Sequence, residues 1–245
     1  MKLKIGNYNI QHCRDHLHFL ATGEERILPS RVAEVITELG LDVCGLNEVY
    51  NQEMLEGDGY INQAKSVAEA LGYHYYFAKA IDYKGYEYGN ALVSKYPIVS
   101  ARTVRMSLPD ELRQKPHYED RAILIAELDV DGSPLTVAVS HFGLTPEEHG
   151  FNVETVLSEL SGVKNPLVFM GDLNMKPENP LIGKLSSVLT DAAELTPGDN
   201  FTFSSDNPYM KIDYIFTGGG ARALSFDVPK KVFADHLPVT AELEF

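Results

Sequence analysis

The sequence predicts a mixed α/β fold in which two β-sheets pack face to face and helices cover their outer surfaces. Short apolar runs of strand length, rich in β-branched and aromatic residues, recur along all 245 residues, roughly eleven of them. Only about four segments show helical spacing. These helical segments do not alternate one for one with the strands, so a doubly wound parallel sheet fits poorly and two packed sheets flanked by helices fit well.

The strand-like runs occupy residues 2–10, 41–49, 73–80, 91–96, 98–106, 122–130, 135–141, 167–170, 212–216, 221–228 and 239–245. Between the first two, Pro29-Ser30 opens a helix whose apolar residues Val32, Val35, Ile36 and Leu39 recur at helical spacing and which Gly40 is placed to stop. Segments 64–71, 146–160 and 180–189 behave in the same way. No Pro/Gly/Ser-rich linker, charge step, internal repeat or low-complexity tract divides the chain, so a single domain over residues 1–245 is expected.

A composition of 44% hydrophobic and 23% charged residues excludes disorder as the dominant state. With 21 basic against 35 acidic side chains, the net charge of -14 argues against a surface that grips long nucleic acids by counterion release. The acidic excess reads either as a solvated surface or as carboxylates converging on a cation. There are two cysteines, and Cys44 sits in a run that reads as a buried strand, so no disulfide framework is indicated and a reducing compartment fits. The N-terminus lacks the apolar region of a signal peptide, and no apolar stretch approaches the ~20 residues of a membrane span. The expectation is a cytoplasmic, monomeric protein without a transmembrane segment.

Polar residues stand at strand ends where a packed core does not require them. Gly171-Asp172-Leu173-Asn174 follows an apolar run and presents Asp172 and Asn174 two apart, on one face of an extended segment, where a carboxylate and an amide can orient a water; the alternative is a turn. Asp235-His236-Leu237-Pro238 precedes the last strand, and a carboxylate beside an imidazole can fix its tautomer and raise its basicity; otherwise it is a polar loop closed by Pro238. His141 ends another strand-like run. Glu48 closes the run 41–49, and its burial calls for a cation or a donor. Asn9 and Asp213 interrupt apolar strands in the same manner, unless they face solvent at a strand edge.

Taken in order, Asn9, Glu48, His141, Asp172 with Asn174, Asp213, and Asp235 with His236 resemble the motif set of the endonuclease/exonuclease/phosphatase superfamily, the DNase I-like fold. The resemblance runs from Tyr8-Asn9-Ile10 to Asp235-His236-Leu237-Pro238. It implies a four-layered α/β/β/α sandwich and hydrolysis of a phosphoester. It also implies that Glu48 coordinates a catalytic Mg²⁺ or Mn²⁺ with Asn9 in or next to its coordination sphere, and that Asp172 orients and deprotonates the attacking water. Asn174 would hold that water or a phosphate oxygen; His236, oriented by Asp235, and His141, supported by Asp213, would stabilise the transition state. The chain departs from the family pattern in two places. Asn47 precedes Glu48 where many relatives have Gln, and Gln11 stands where the DNA-repair branch has Asp. The second departure removes a potential metal carboxylate, which argues against a two-metal arrangement and an abasic-site endonuclease.

Two stretches bear on the substrate. Gln11-His12-Cys13-Arg14-Asp15-His16-Leu17-His18 follows the Asn9 strand; it reads as a polar active-site loop in which Gln11 and Arg14 are candidate substrate contacts, while a second metal site from His12, Cys13, His16 and His18 fits no standard zinc spacing. Residues 73–77 and 82–90 are rich in aromatics and read as a hairpin with cross-strand tyrosine pairs or as walls of a substrate site. Residues 89–98 resemble the family block that leads into the central strands, which makes Asn90 a candidate phosphate or substrate contact; Arg121 is another through the fork of its guanidinium, the alternative being a surface ion pair. The favoured reading is a phosphodiesterase or phosphatase for a small-molecule or lipid-headgroup phosphoester. A nuclease of the exonuclease III or DNase I type is the alternative, disfavoured by the net charge, and a non-catalytic binding module is the third.

Overall fold

The structure, a computed structural model, describes residues 1–52, 62–83, 85–113 and 118–245. Its strands are β1 (Lys2–Asn9), β2 (Val43–Asn51), β3 (His74–Tyr83), β4 (Tyr86–Ser94), β5 (Ile98–Met106), β6 (Arg121–Val130), β7 (Ser133–His141), β8 (Leu167–Asp172), β9 (Thr190–Asp191), β10 (Asp213–Gly218), β11 (Arg222–Asp227) and β12 (Val239–Glu244). The helices are α1 (His16–Thr22), α2 (Pro29–Leu39), α3 (Gln63–Leu71), α4 (Asp110–Arg113), α5 (Pro146–Leu160) and α6 (Pro180–Ser186). The described strands form two six-stranded sheets, ordered β11-β12-β1-β2-β4-β3 and β5-β6-β7-β8-β10-β9.

Each sheet contains one parallel pair, β1 with β2 and β7 with β8. A parallel pair needs a crossover, and α2 and α5 supply one to each. The cores divide accordingly. Leu3, Ile5, Val43, Leu92, Val137, Val139, Val168, Met170 and Ile215 fill the space between the sheets. Val32, Val35 and Ile36 of α2 and Val67 of α3 pack on Tyr8, Cys44 and Leu46, the outer face of the first sheet. Val153 and Val156 of α5 and Leu185 of α6 cover Phe169, Tyr214 and Phe216 on the second. These layers make the α/β/β/α sandwich implied by the family resemblance.

The helix ends are chemically specified. Proline occupies the first turn of α2, α5 and α6, where its missing N–H is no loss. Thr145 and Glu148 close a capping box on α5. The helix α1 is not apparent from periodicity because Leu17 and Leu20 are exposed, so no apolar stripe marks it. The aromatic tract forms the β3–β4 hairpin, with Tyr83 opposite Tyr86; Lys84 lies outside the described residues.

Strand alternation builds the site. On β1 the residues facing the second sheet are Leu3 and Ile5, and the same face continues into Asn7 and Asn9. On β7 the inward row Leu135, Val137, Val139 ends at His141; on β8 Val168 and Met170 lead to Asp172; on β10 Ile215 shares its face with Asp213. The apolar inter-sheet core therefore turns polar at one end of the sandwich. Gly171 permits the close approach of β8 to β7, since a Cβ there would lie 1.8 Å from the Ser140 carbonyl oxygen.

Candidate active site

Glu48 reaches this polar end only because β2 breaks its alternation. An even-numbered residue on β2 faces the helices, as Cys44 and Leu46 do. A bulge between Leu46 and Val49 places Asn47 and Glu48 against the single residue Asn90, and Glu48 takes a left-handed φ of 58°, a conformation that costs roughly 1–2 kcal/mol for a residue with a Cβ. The carboxylate is thereby swung to Asn9, whose Nδ2 donates to Glu48 Oε1 at 3.0 Å and to Asp172 Oδ2 at 3.0 Å.

Asp172 is central. His141 and Asp213 are its register partners on the two flanking strands. Its Oδ1 accepts the Asn174 backbone N–H at 3.0 Å, and its Oδ2 lies 3.5 Å from His141 Nε2 and 3.6 Å from His236 Nε2. Burial and the neighbouring Asp213 raise the Asp172 carboxyl above the usual range, although His236 opposes this. For His236, burial disfavours the charge, but Asp213 and Asp172 outweigh it and the imidazole is pushed up. His141 is lowered by burial, with Arg121 and His236 adding to the effect. Asn174 Nδ2 sits 3.1 Å from His141 Nε2 and donates to the Phe142 carbonyl oxygen at 3.0 Å. That bond orients the amide, so His141 Nε2 accepts and Nδ1 carries the hydrogen of the neutral ring.

The pairing of acids and imidazoles differs from the expectation. His236 Nδ1 is held by Asp213 Oδ2 at 2.8 Å, not by Asp235. His141 is held by Asn174, not by Asp213. Although Asp235 adjoins His236 in the chain, its carboxylate is engaged by Gln11, whose Nε2 donates to Asp235 Oδ2. Asn9 Oδ1 accepts the Gln11 backbone N–H at 3.1 Å and its amide nitrogen faces the carboxylates of Glu48 and Asp172, which places it beside them as a supporting donor. Asn90 is 1% exposed and donates to the Ala122 carbonyl oxygen while accepting from Asn47, which places it between the sheets and away from a substrate.

A cavity of about 690 Å³ opens over these groups and is lined by Glu48, Asp172, Asn174, His141, Asp235 and His236, with His12, Arg14 and Arg121 on its walls. Arg121 is buried, its Nε has no partner, and Glu119 lies 3.3 Å from its NH2 group. Gln11 lies behind Asp235. Tyr50 packs its ring on those of Tyr86 and Tyr88, each at 5.3 Å, and all three line the cavity. The segment 11–18 does not gather a second metal site. Cys13 is fully buried in the helix-facing core, His16 bonds Asp206 at 3.1 Å, and His12 packs on Tyr50. Among the described residues, the group with ligand atoms within 4.8 Å of one another is Asp172, Asp213 and His236, able in composition to hold a metal ion.

The residue that sequence reading passed over is Asn47, noted there only as a departure from family habit. Its Nδ2 donates to Asn90 Oδ1 at 2.9 Å and to the Ser140 carbonyl oxygen at 3.1 Å, while its Oδ1 accepts from Asn7 Nδ2 at 2.9 Å and from the Asp172 backbone N–H at 3.1 Å. An amide inside an apolar strand run was the available signal.

The model of the endonuclease/exonuclease/phosphatase family matches residues 6–236. The chain belongs to that family. Members of the endonuclease/exonuclease/phosphatase family are hydrolases of phosphoester bonds. Among solved structures, a family member from Beutenbergia cavernae is 25% identical, covering 100% of this chain and 72% of its own, with a TM-score of 0.82. The mannosyl-6-phosphatase of Bacteroides thetaiotaomicron is 19% identical over 99% of this chain and 100% of its own, with a TM-score of 0.77. The catalytic domain of human Nocturnin, with bound sulfate, is 19% identical over 100% of this chain and 93% of its own, with a TM-score of 0.71. The curated proteins contain no match. Among the described residues no helix is long and apolar enough to cross a membrane.

Proposed function

We propose that this protein is a divalent-metal-dependent phosphoesterase that hydrolyses a phosphodiester or phosphomonoester of a small or lipid-derived molecule by attack of water. The observation that carries the reading is Asp172, a buried carboxylate with a raised pKa set between His141 and the His236–Asp213 pair at the floor of one cavity. A base whose pKa is lifted toward neutrality suits proton abstraction from water. The cavity's arginines are each near a carboxylate, Arg14 at 3.5 Å from Glu25 and Arg121 at 3.3 Å from Glu119, which favours a compact phosphoester over a long polyanion. The mannosyl-6-phosphatase activity named for one similar structure is in keeping with a small phosphorylated substrate.

The donor set fits a hard cation. Asp235 Oδ1 is buried without a partner, and the Asp235 carboxyl is raised to about 6 by burial, with the Glu48 charge contributing. Glu48 and Asp235 line the same cavity, and carboxylate oxygens are the ligands Mg²⁺ or Mn²⁺ prefers, so these two would hold the ion. The ion's contribution when bound is to neutralise phosphate charge. Asp172 orients the water through its free lone pairs and receives its proton. Protonated His236, kept in orientation by Asp213, donates from Nε2 to a phosphate oxygen, and the neutral His141 lines the same cavity beside Asp172. The unpartnered Nε of Arg121 offers a further donor to the phosphate. His236 serves better as a proton donor than as a metal ligand, because Asp213 and Asp172 already favour its cationic form.

The free, buried Cys13 and Cys44 suit a reducing, cytoplasmic compartment. The test is a substrate panel with Mg²⁺ and Mn²⁺: p-nitrophenyl phosphate, bis-p-nitrophenyl phosphate, sugar and lipid-headgroup phosphoesters, and plain and abasic DNA. Hydrolysis of a small ester, lowered at least about 10²-fold in Asp172→Ala and in His236→Ala, is expected. An inert wild type with both metals across the panel rejects the reading, and preference for DNA replaces it with a nuclease.

A further inference from the structure

Strand β1 ends at Asn9, and the chain then places Gln11, His12 and Cys13 at φ 43°, 48° and 62°. Consecutive non-glycine residues in the left-handed region are each disfavoured by roughly 1–2 kcal/mol, so such a turn persists only where its surroundings over-determine it. Here they do. Cys13 N–H donates to the Ile10 carbonyl oxygen at 2.7 Å and Arg14 N–H to that of Gln11 at 3.0 Å. The Cys13 side chain is buried in the helix-facing core. Gln63, itself fully buried, donates from Nε2 to the His12 carbonyl oxygen at 2.7 Å and accepts the Tyr50 N–H at 2.9 Å.

The turn brings one residue onto two members of the site. The Gln11 backbone N–H occupies Asn9 Oδ1 at 3.1 Å, which leaves Asn9 Nδ2 to face Glu48 and Asp172. The Gln11 side chain donates from Nε2 to Asp235 Oδ2. Arg14 Nε donates to Gln11 Oε1 at 3.2 Å, so the amide oxygen is engaged on the far side and its nitrogen is the end that meets Asp235. Oδ2 of Asp235 is thereby taken, and Oδ1, buried and unpartnered, is the atom left for a ligand.

We infer that Gln11 is a positioning residue for the cation site: through the left-handed turn and the Arg14 bond it fixes the Asp235 carboxylate and the Asn9 amide before an ion arrives. This rests on Glu48 and Asp235 as the cation's carboxylates. A neutral donor suits the task, because it orients Asp235 without adding to the repulsion between the two acids. Groups that orient metal ligands in this way are typically worth about 10–100-fold in affinity.

Titration of the full chain with Mn²⁺ alone, by calorimetry and by electron paramagnetic resonance of the free ion, tests it. Gln11→Leu keeps the volume and removes the donor; its Mn²⁺ affinity should fall about 10-fold or more, with a thermal midpoint in metal-free buffer close to that of the wild type. Arg14→Lys keeps the charge but loses the Nε–H that orients the amide, and should weaken Mn²⁺ binding in the same direction by a smaller factor, a readout that stands if Gln11→Leu folds poorly. Unchanged affinity in both variants, alongside lost binding in Glu48→Gln, rejects the role of Gln11 alone. Binding unaffected by Glu48→Gln as well, or no binding by the wild type, rejects the cation site and this inference with it.

Discussion

Asp213 Oδ2 lies 2.8 Å from His236 Nδ1 across a separation of 23 residues. Asp213 is fully buried, and its other carboxylate oxygen has no partner. The bond fixes the imidazole with Nε2 toward Asp172, and the charge of Asp213 favours the imidazolium. Asp213→Asn preserves the shape and removes the charge. It should lower kcat for phosphoester hydrolysis by about 10²-fold or more, because the donor is then neutral or wrongly tautomeric at the moment charge develops. The His236 titration, followed by NMR, should move down at the same time. A variant with the wild-type kcat and an unmoved His236 would remove Asp213 from the machinery.

Asn47 joins the two sheets beneath the site. It holds Asn7, Asn90, the Ser140 carbonyl and the Asp172 N–H with all its hydrogen-bonding capacity, at full burial. Asn47→Leu leaves several buried donors and acceptors unsatisfied, at about 1–3 kcal/mol each, so urea unfolding should report a loss of roughly 3 kcal/mol or more. The same substitution frees the Asp172 backbone, so kcat should fall with stability. A loss under about 1 kcal/mol would mean that water or repacking replaces the network.

The residues of the site were legible where a strand's inward row ends in a polar side chain: Asn9, His141, Asp172 and Asp213 each continue an apolar period-2 row, and that pattern is local. Their partnerships were not. Asp213 meets His236 because β10 of one sheet packs against β12 of the other, and that packing is a property of the whole topology. The adjacency of Asp235 and His236 in the chain pointed the wrong way, because each side chain is claimed by a residue distant in sequence, Gln11 and Asp213. Glu48 was found from its cost of burial, although its aim depends on a bulge that no periodicity announces. Asn90 was misplaced because its parity on β4 puts it with Leu92 between the sheets, a fact available only once the core face of β4 is known. The short strand β9 and the helix α1 carry too little apolar pattern to be seen.

His149 on α5 bonds the Gly143 carbonyl oxygen through Nε2 at 2.9 Å and is buried. Burial lowers its pKa below the ordinary 6.5, more than the bond to Gly143 raises it. A depressed imidazole is neutral in the fold but protonated in the unfolded chain just below pH 6.5, so the unfolded state binds more protons there. The His149 contribution to stability is therefore full above that pH and is lost as the pH falls through the folded value. Asp172 and Asp235, raised in the fold, act in the opposite direction, so the difference between the wild type and His149→Gln isolates the effect. That difference, from urea unfolding in metal-free buffer between pH 7.5 and about pH 5, should shift toward the variant with acidification; a difference independent of pH would remove His149 as its source.

Lys211 is bonded through Nζ to Asp191 Oδ2, with both side chains buried and the ammonium 4.2 Å from the centre of the Tyr214 ring. Burial lowers the lysine pKa, while Asp191 counteracts it. Asp191 also caps the following turn, its Oδ1 accepting the Ala193 N–H at 3.0 Å. Removing one member of such a pair leaves an uncompensated charge, so Lys211→Met should destabilise by about 3 kcal/mol or more. Asn at 191 can keep the cap through its amide oxygen, so the double variant Lys211→Met with Asp191→Asn should recover most of that loss, with a coupling energy of about 1–3 kcal/mol. Urea midpoints for the two single variants and the double decide it. Additive losses would show that the two side chains contribute independently, and the capping bond of Asp191 would then account for its burial better than the charge of Lys211 does.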